Sequence, residues 1–255
     1  MPRIKDLAIV LRETDWSETS QIVTLLTQAH GLVRGLAKGA KRQAPSSVQR
    51  YSGGLEPLTL GQVVGTLKPA TGLATLTEWD LLDPYPHFHR DLQALHLGLY
   101  VADVTAAFLA DHDPHPASFA AVRTALSGLA SAAERAGVLL RFQWSFLQDA
   151  GLAPRLDADV RGGAALPEAA TYLFDARAGG LMADDGRPEA GWSPTGPWRV
   201  RHQTIDLLRQ LADGRDWAGT AAGIAGVQRA NRLLCAYMRS TLDRELPTMR
   251  FVLEG

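Results

Sequence analysis

Arg34, Lys38, Lys41, Arg42 and Arg50 fall between Glu18 and Glu56, and no acidic residue lies between those two glutamates. Guanidinium and ammonium groups gathered without carboxylates are phosphate ligands, and a nucleic-acid backbone engages several of them at once. The cations are set in the glycine-spaced run Gly31-Leu-Val-Arg-Gly-Leu-Ala-Lys-Gly-Ala-Lys-Arg-Gln43. There Gly35 and Gly39 leave backbone N–H groups uncovered, so a phosphate can approach closely. Such a run also serves as a solvated turn kept soluble by its lysines. Two features favour the ligand. Ile22 to Leu26 alternate, and Leu32, Val33 and Leu36 continue the apolar spacing, which puts the cations at the end of a hairpin. The missing carboxylates also remove competing partners from within the chain. Arg12 and Lys68 extend the set on flanking strands of the same face. Gln43-Ala-Pro-Ser-Ser-Val-Gln49 has no periodicity and reads as a flexible loop.

Other chemistry finds less support. A phosphate-binding loop of the Gly-x-x-x-x-Gly-Lys-Ser/Thr type is not matched by Gly35 and Gly39, and no Gly-x-Gly-x-x-Gly follows a strand, so nucleotide hydrolysis is not expected. His87, His89, His112 and His115 have imidazoles suited to a metal. They sit beside prolines and aspartates at helix ends, where capping and solvation account for them. Neither a Ser-His-Asp set nor a carboxylate pair stands out, so the chain is expected to be no enzyme and to need no cofactor. A metal-dependent nuclease ranks last for want of a carboxylate cluster. Arg229, Arg232, Arg239 and Arg244 make a second, weaker basic stripe, equally explained by arginine stems covering a core helix.

The elements that must position the basic run divide the chain in two. Residues 1–82 show five strand-like segments, Ile4–Arg12, Ser20–Thr27, Leu32–Lys38, Leu55–Leu67 and Leu73–Leu81, with turn signals between them. Five short strands in so few residues fit a small closed barrel. The five-stranded OB-fold, which carries oligonucleotides, leads, with an SH3-like barrel as the alternative. After Asp83-Pro-Tyr-Pro86 the spacing turns helical through residue 153, with helices at Ser118–Ala132 and Glu134–Ala150. Residues 154–200 are an irregular insertion with a short hairpin at Thr171–Phe174 and Gly180–Met182, and helices return at Arg201–Ala212 and Gln228–Glu245. The fold class is therefore α+β.

A formal net charge of −1 gives no global attraction to a polyanion, so binding must be local. Hydrophobic residues make up 46% of the 255, ample for a core, and the single cysteine, Cys235, excludes an internal disulfide. With charges in the first residues and no apolar run of about 20, neither a signal peptide nor a membrane span is expected, and the chain is read as cytoplasmic.

Ile9-Val-Leu-Arg12, Glu18-Thr-Ser-Gln-Ile-Val-Thr-Leu-Leu-Thr27, His30-Gly-Leu-Val-Arg34, Ala37-Lys-Gly-Ala-Lys-Arg42 and Leu73-Ala-Thr-Leu-Thr-Glu78 together resemble, in order and spacing, the bacterial DNA-repair family RecO. The resemblance continues through Asp80-Leu-Leu-Asp-Pro84, Arg141-Phe-Gln-Trp-Ser-Phe-Leu147, Gly151-Leu-Ala-Pro154, Tyr237-Met-Arg239 and Arg250-Phe251, which covers nearly the whole chain. It implies a recombination mediator, an OB-fold followed by a helical domain, that binds single- and double-stranded DNA, anneals complementary strands and works with RecR. It also implies docking of the C-terminal tail of single-stranded-DNA-binding protein, for which Arg141, Phe142 and Phe146 match the family's segment. The runner-up is a protein-binding adaptor whose basic loop engages acidic tails. Many family members hold zinc through two Cys-x-x-Cys pairs in the insertion; the corresponding positions here are Asp159, Gly162, Ala183 and Gly186, so no zinc is expected. Trp16, Tyr51 and Trp79 are the aromatics near the basic run that a base could stack on.

Overall fold

The computed structural model describes residues 3–42, 44–52, 54–67, 72–186, 196–215 and 223–254. They form two compact units, divided after Ala132.

In the first unit, alternating apolar residues build β1 (Arg3–Ser17), β2 (Ser20–Thr27), β3 (Gly31–Ala37), β5 (Leu60–Thr66) and β6 (Ala74–Asp83). The first half of β1 pairs antiparallel with β5 and the second half with β2. β2 with β3 and β5 with β6 are antiparallel as well. A short parallel seam, Gly35–Ala37 of β3 against Ala74–Leu76 of β6, then closes the ring. That order is the OB-fold, a five-stranded barrel whose inward side chains fill it. Val10, Val23, Leu25, Val33, Val63 and Trp79 are buried inside.

Two glycines make the closure possible. A Cβ on Gly35 would lie 2.6 Å from Leu76 Cδ2, and one on Gly61 would lie 2.4 Å from the Trp79 ring. Gly35 is therefore a packing residue inside β3, opposite Val23, and does not offer an open amide to phosphate. The segment expected to be a loop holds a six-residue helix, α1 (Pro45–Arg50), followed by β4 (Tyr51–Ser52), which pairs with β6 at Trp79 and Asp80. Proline at the first helical position is preorganised for that conformation, and six residues are too few to display a period.

Still in this unit, α2 (Leu92–Phe108) starts at Asp91, whose carboxylate accepts from Ala94 N at 2.9 Å. Gly98 lets it close on Leu58 and Phe88, and α3 (Pro116–Gly128) packs against it.

The second unit is built on α4 (Arg135–Asp149), α5 (His202–Ala212), α6 (Gly223–Leu242) and the terminal turn α7 (Arg250–Leu253). α4 meets α6 through buried amides: Gln143 Nε2 donates to Asn231 Oδ1 at 2.9 Å, and Asn231 Nδ2 donates to the Ala136 carbonyl at 2.8 Å. The insertion forms a three-stranded sheet in the order β8 (Gly180–Ala183), β7 (Thr171–Asp175), β9 (Trp198–Arg201); β9 adds a strand beyond the expected hairpin.

The four positions aligned with a zinc site are joined by carboxylates. Asp159 accepts from the amides of Arg161 at 2.8 Å, Gly162 at 3.2 Å and Ala183 at 3.1 Å. Asp184 accepts from the Gly186 amide at 3.0 Å, from Thr171 Oγ1 at 2.6 Å and from Arg199 Nε at 2.7 Å. The backbone N–H groups at Asp159, and chiefly the Arg199 guanidinium at Asp184, hold both carboxyls below the usual carboxylate range. Those corners offer one carboxylate that already serves three amides, with no thiolate or imidazole, so they do not fit zinc. No helix among the described residues is long and apolar enough to cross a membrane.

Candidate nucleic-acid interface

The basic run leaves the barrel as β3 ends. Gly39 takes a positive φ of 73°, and its amide donates to Ser20 Oγ at 3.3 Å; the Lys41 amide donates to the Thr19 carbonyl at 3.2 Å, and the Arg42 amide to the Gly39 carbonyl at 3.1 Å. These bonds tie the loop to the turn between β1 and β2, at the open end of the β2–β3 hairpin where Gln21 pairs with Ala37. A Cβ on Gly39 would stand 3.5 Å from Arg42 Cδ and 3.8 Å from Ser47 Oγ, so α1 lies against the same loop. Gly39 is thus fixed by its turn, and its amide is already engaged.

Arg34 projects from β3 opposite Thr24 and is exposed, as are Lys38 and Arg42. None of these three side chains forms a salt bridge among the described residues. Lys41 does: its Nζ lies 2.7 Å from both oxygens of Asp15. Arg12 is held by Asp103 of α2, with Nε at 3.0 Å and Nη2 at 2.6 Å from Oδ1. The local gap in acidic residues therefore does not leave all the cations unpaired, because the fold brings in carboxylates from outside that gap, Asp15 from β1 and Asp103 from α2. Glu13 stands in the same acidic margin. Burial, and then the charges of Asp15 and Glu56, push its carboxyl above the usual value, while Lys41 and a hydrogen bond from Gln21 pull it back.

Arg50 closes α1, 6.0 Å from the Tyr51 ring, at the edge of a cleft of about 310 Å³ that also presents Glu78 and Asp80. Mixed charge there makes it a poorer phosphate seat than the loop. Lys68 lies outside the described residues.

Of the three aromatics, Tyr51 and Trp79 are buried in the barrel core, with the Tyr51 hydroxyl donating to the Leu76 carbonyl at 3.0 Å. Trp16 is 64% exposed on the β1–β2 arm. On α4, Arg141 is exposed, but Phe142 and Phe146 are both buried, 5.5 Å apart, so their rings belong to the core and offer no open groove. In the arginine stripe of α6, Arg229 donates to Thr204 Oγ1 at 3.4 Å and Arg239 pairs with Glu245 at 3.1 Å. His87 contacts the Leu126 carbonyl at 3.0 Å and His115 pairs with Asp113 at 3.4 Å. Among the described residues, no group of three or more His, Cys, Asp or Glu is placed to hold a metal.

Two family models cover this arrangement: "Recombination protein O N terminal" over residues 1–85 and "Recombination protein O C terminal" over residues 89–250. The chain belongs to the RecO family. A curated relative named DNA repair protein RecO, from Anaeromyxobacter sp. (strain Fw109-5), is 31% identical over 250 residues, 98% of this chain and 95% of the relative. The RecO of Geobacter metallireducens is 31% identical over 246 residues, 96% of this chain and 95% of its own. That of Salinibacter ruber is 34% identical over 187 residues, covering 73% and 69%. The boundary between the RecO models falls where the strands of the barrel give way to helices.

Proposed function

We propose that this RecO-family chain is a recombinational DNA repair mediator that performs no covalent chemistry. It grips the phosphates of single- and double-stranded DNA with the loop after β3 and brings complementary strands together. The observation that carries the reading is that exposed Lys38 and Arg42, with no salt bridge among the described residues, flank Lys41 on a loop fixed to the barrel, and that exposed Arg34 stands on β3, the strand that leads into it. A fixed cluster of cations neutralises two backbones at one surface, which lowers their mutual repulsion and needs no cofactor. Phosphate contacts carry no sequence information, so binding is sequence-tolerant and falls with salt. RecR and the tail of single-stranded-DNA-binding protein are the partners that family membership supports. In this reading Arg141, exposed on α4, meets a tail carboxylate, and the tail's apolar side chains find a surface other than the buried Phe142 and Phe146.

Annealing of complementary, dye-labelled strands tests this. The protein is expected to accelerate pairing, and the Lys38→Glu/Lys41→Glu/Arg42→Glu variant to lose the acceleration while remaining folded. Unchanged acceleration in the folded variant would remove the loop from the mechanism. Tight binding of an acidic tail peptide without DNA binding would instead identify a protein adaptor.

A further inference from the structure

The β1–β2 arm carries an irregularity at its tip. Asp15 pairs with Gln21 and Ser17 with Ser20, so Trp16 is an extra residue with no cross-strand partner. A bulge of this kind re-aims a side chain and is over-represented beside functional sites. Here it leaves the largest side chain type 64% exposed, flanked by Asp15, which holds Lys41 at 2.7 Å. Thr19 and Ser20, just beyond it, are the residues that anchor the basic loop. An indole exposed beside a phosphate track has the two components of a single-strand site, a π surface and cations.

We propose that Trp16 is a stacking platform for an unpaired base of a strand whose phosphates lie on the loop. This deepens the function proposed above and rests on it. Stacking occupies the face of a base and leaves its pairing edge open, so a base held by Trp16 still meets its complement. A duplex, whose bases are already stacked, gains nothing from it, which gives Trp16 a preference for single strands that the phosphate contacts lack. Tyr51 and Trp79 take no part, being buried.

The test compares binding of oligo-dT with that of an abasic strand of equal phosphate count, across a salt series, for the full chain and for Trp16→Ala and Trp16→Phe. The wild type is expected to favour oligo-dT about tenfold, within the range of one base–aromatic stack. Trp16→Ala should bring oligo-dT down to the abasic level with the salt slope unchanged, and Trp16→Phe should keep most of the preference. Equal affinity of the wild type for both strands, or a preference that survives in Trp16→Ala, overturns the stacking role; a steep salt slope in either case leaves the phosphate track standing. Absence of salt-dependent binding in the wild type overturns both.

Discussion

Asp15→Asn should make the protein bind DNA more tightly. In the free protein the Asp15 carboxylate holds Lys41 with both oxygens at 2.7 Å, and the two side chains are 66% and 37% exposed. An exposed pair of this kind contributes roughly 0.2–1 kcal/mol, so about 0.5 kcal/mol is lost when a phosphate takes the ammonium. The displaced carboxylate then stands beside the phosphate. Two like charges 4 Å apart repel by about 1 kcal/mol in water, and screening reduces that to about 0.5 kcal/mol. Removing both terms gives about 1 kcal/mol, or roughly fivefold in affinity at moderate salt. Asp15 is one of the charges that raise the Glu13 carboxyl, so its removal also relaxes that carboxyl toward its usual value, and the same pair of titrations in a Glu13→Gln background is the control. Fluorescence anisotropy with a labelled single strand reads the gain, and the double-mutant cycle with Lys41→Ala assigns it. In the Lys41→Ala background only the repulsion remains, so the gain should fall to about half. Equal or weaker binding by Asp15→Asn, or an undiminished gain without Lys41, would refute the reasoning.

Gly61→Ala drives a methyl into the Trp79 ring and the Asp80 carbonyl, 2.4 and 2.6 Å away, and should cost about 1–3 kcal/mol in chemical denaturation; an unchanged midpoint would contradict the closure described for the barrel. Phe146→Ala removes a fully buried ring and should cost about 3–5 kcal/mol, whereas Arg141→Ala at an exposed position should cost no more than about 1 kcal/mol, so only the latter separates partner binding from folding by the same measurement. The Asp184 carboxyl is depressed in the folded insertion, so its contribution is fully present above the unfolded value of about 3.9 and declines as pH falls below it. NMR resonances of Tyr172 and Phe174 should report loosening of the small sheet below about pH 4, and Asp184→Asn should be looser at neutral pH with that dependence reduced.

The barrel was legible because its strands are short runs of β-branched or alternating apolar residues set between turn signals such as His30-Gly31 and Asp15-Trp16-Ser17. Asp15-Trp16-Ser17 nevertheless belongs to β1, which runs five residues past its expected end through two register shifts. Polar residues in an arm exposed on both faces give no alternation to read. The cations were legible as a cluster, since the whole run is local. Their partners were not: Asp15 is 26 residues from Lys41 and Asp103 is 91 from Arg12. The acidic gap seen in sequence says nothing of what a closed barrel places nearby. Phe142 and Phe146 show the converse limit, because a wide apolar helix face has the same pattern whether it meets a core or a peptide. Trp16 and Trp79 likewise differ in place and not in type, and only the strand register separates the exposed ring from the buried one.

The most direct test of the central claim is the salt dependence of single-strand binding, measured by anisotropy for the wild type and for Lys38→Glu/Lys41→Glu/Arg42→Glu. Each phosphate contact on a single strand contributes about −0.7 to the slope of log affinity against log salt, so loss of three contacts should flatten the slope by about 2 and abolish tight binding, with the melting curve unchanged. A folded variant that keeps the wild-type slope would show that DNA is held elsewhere.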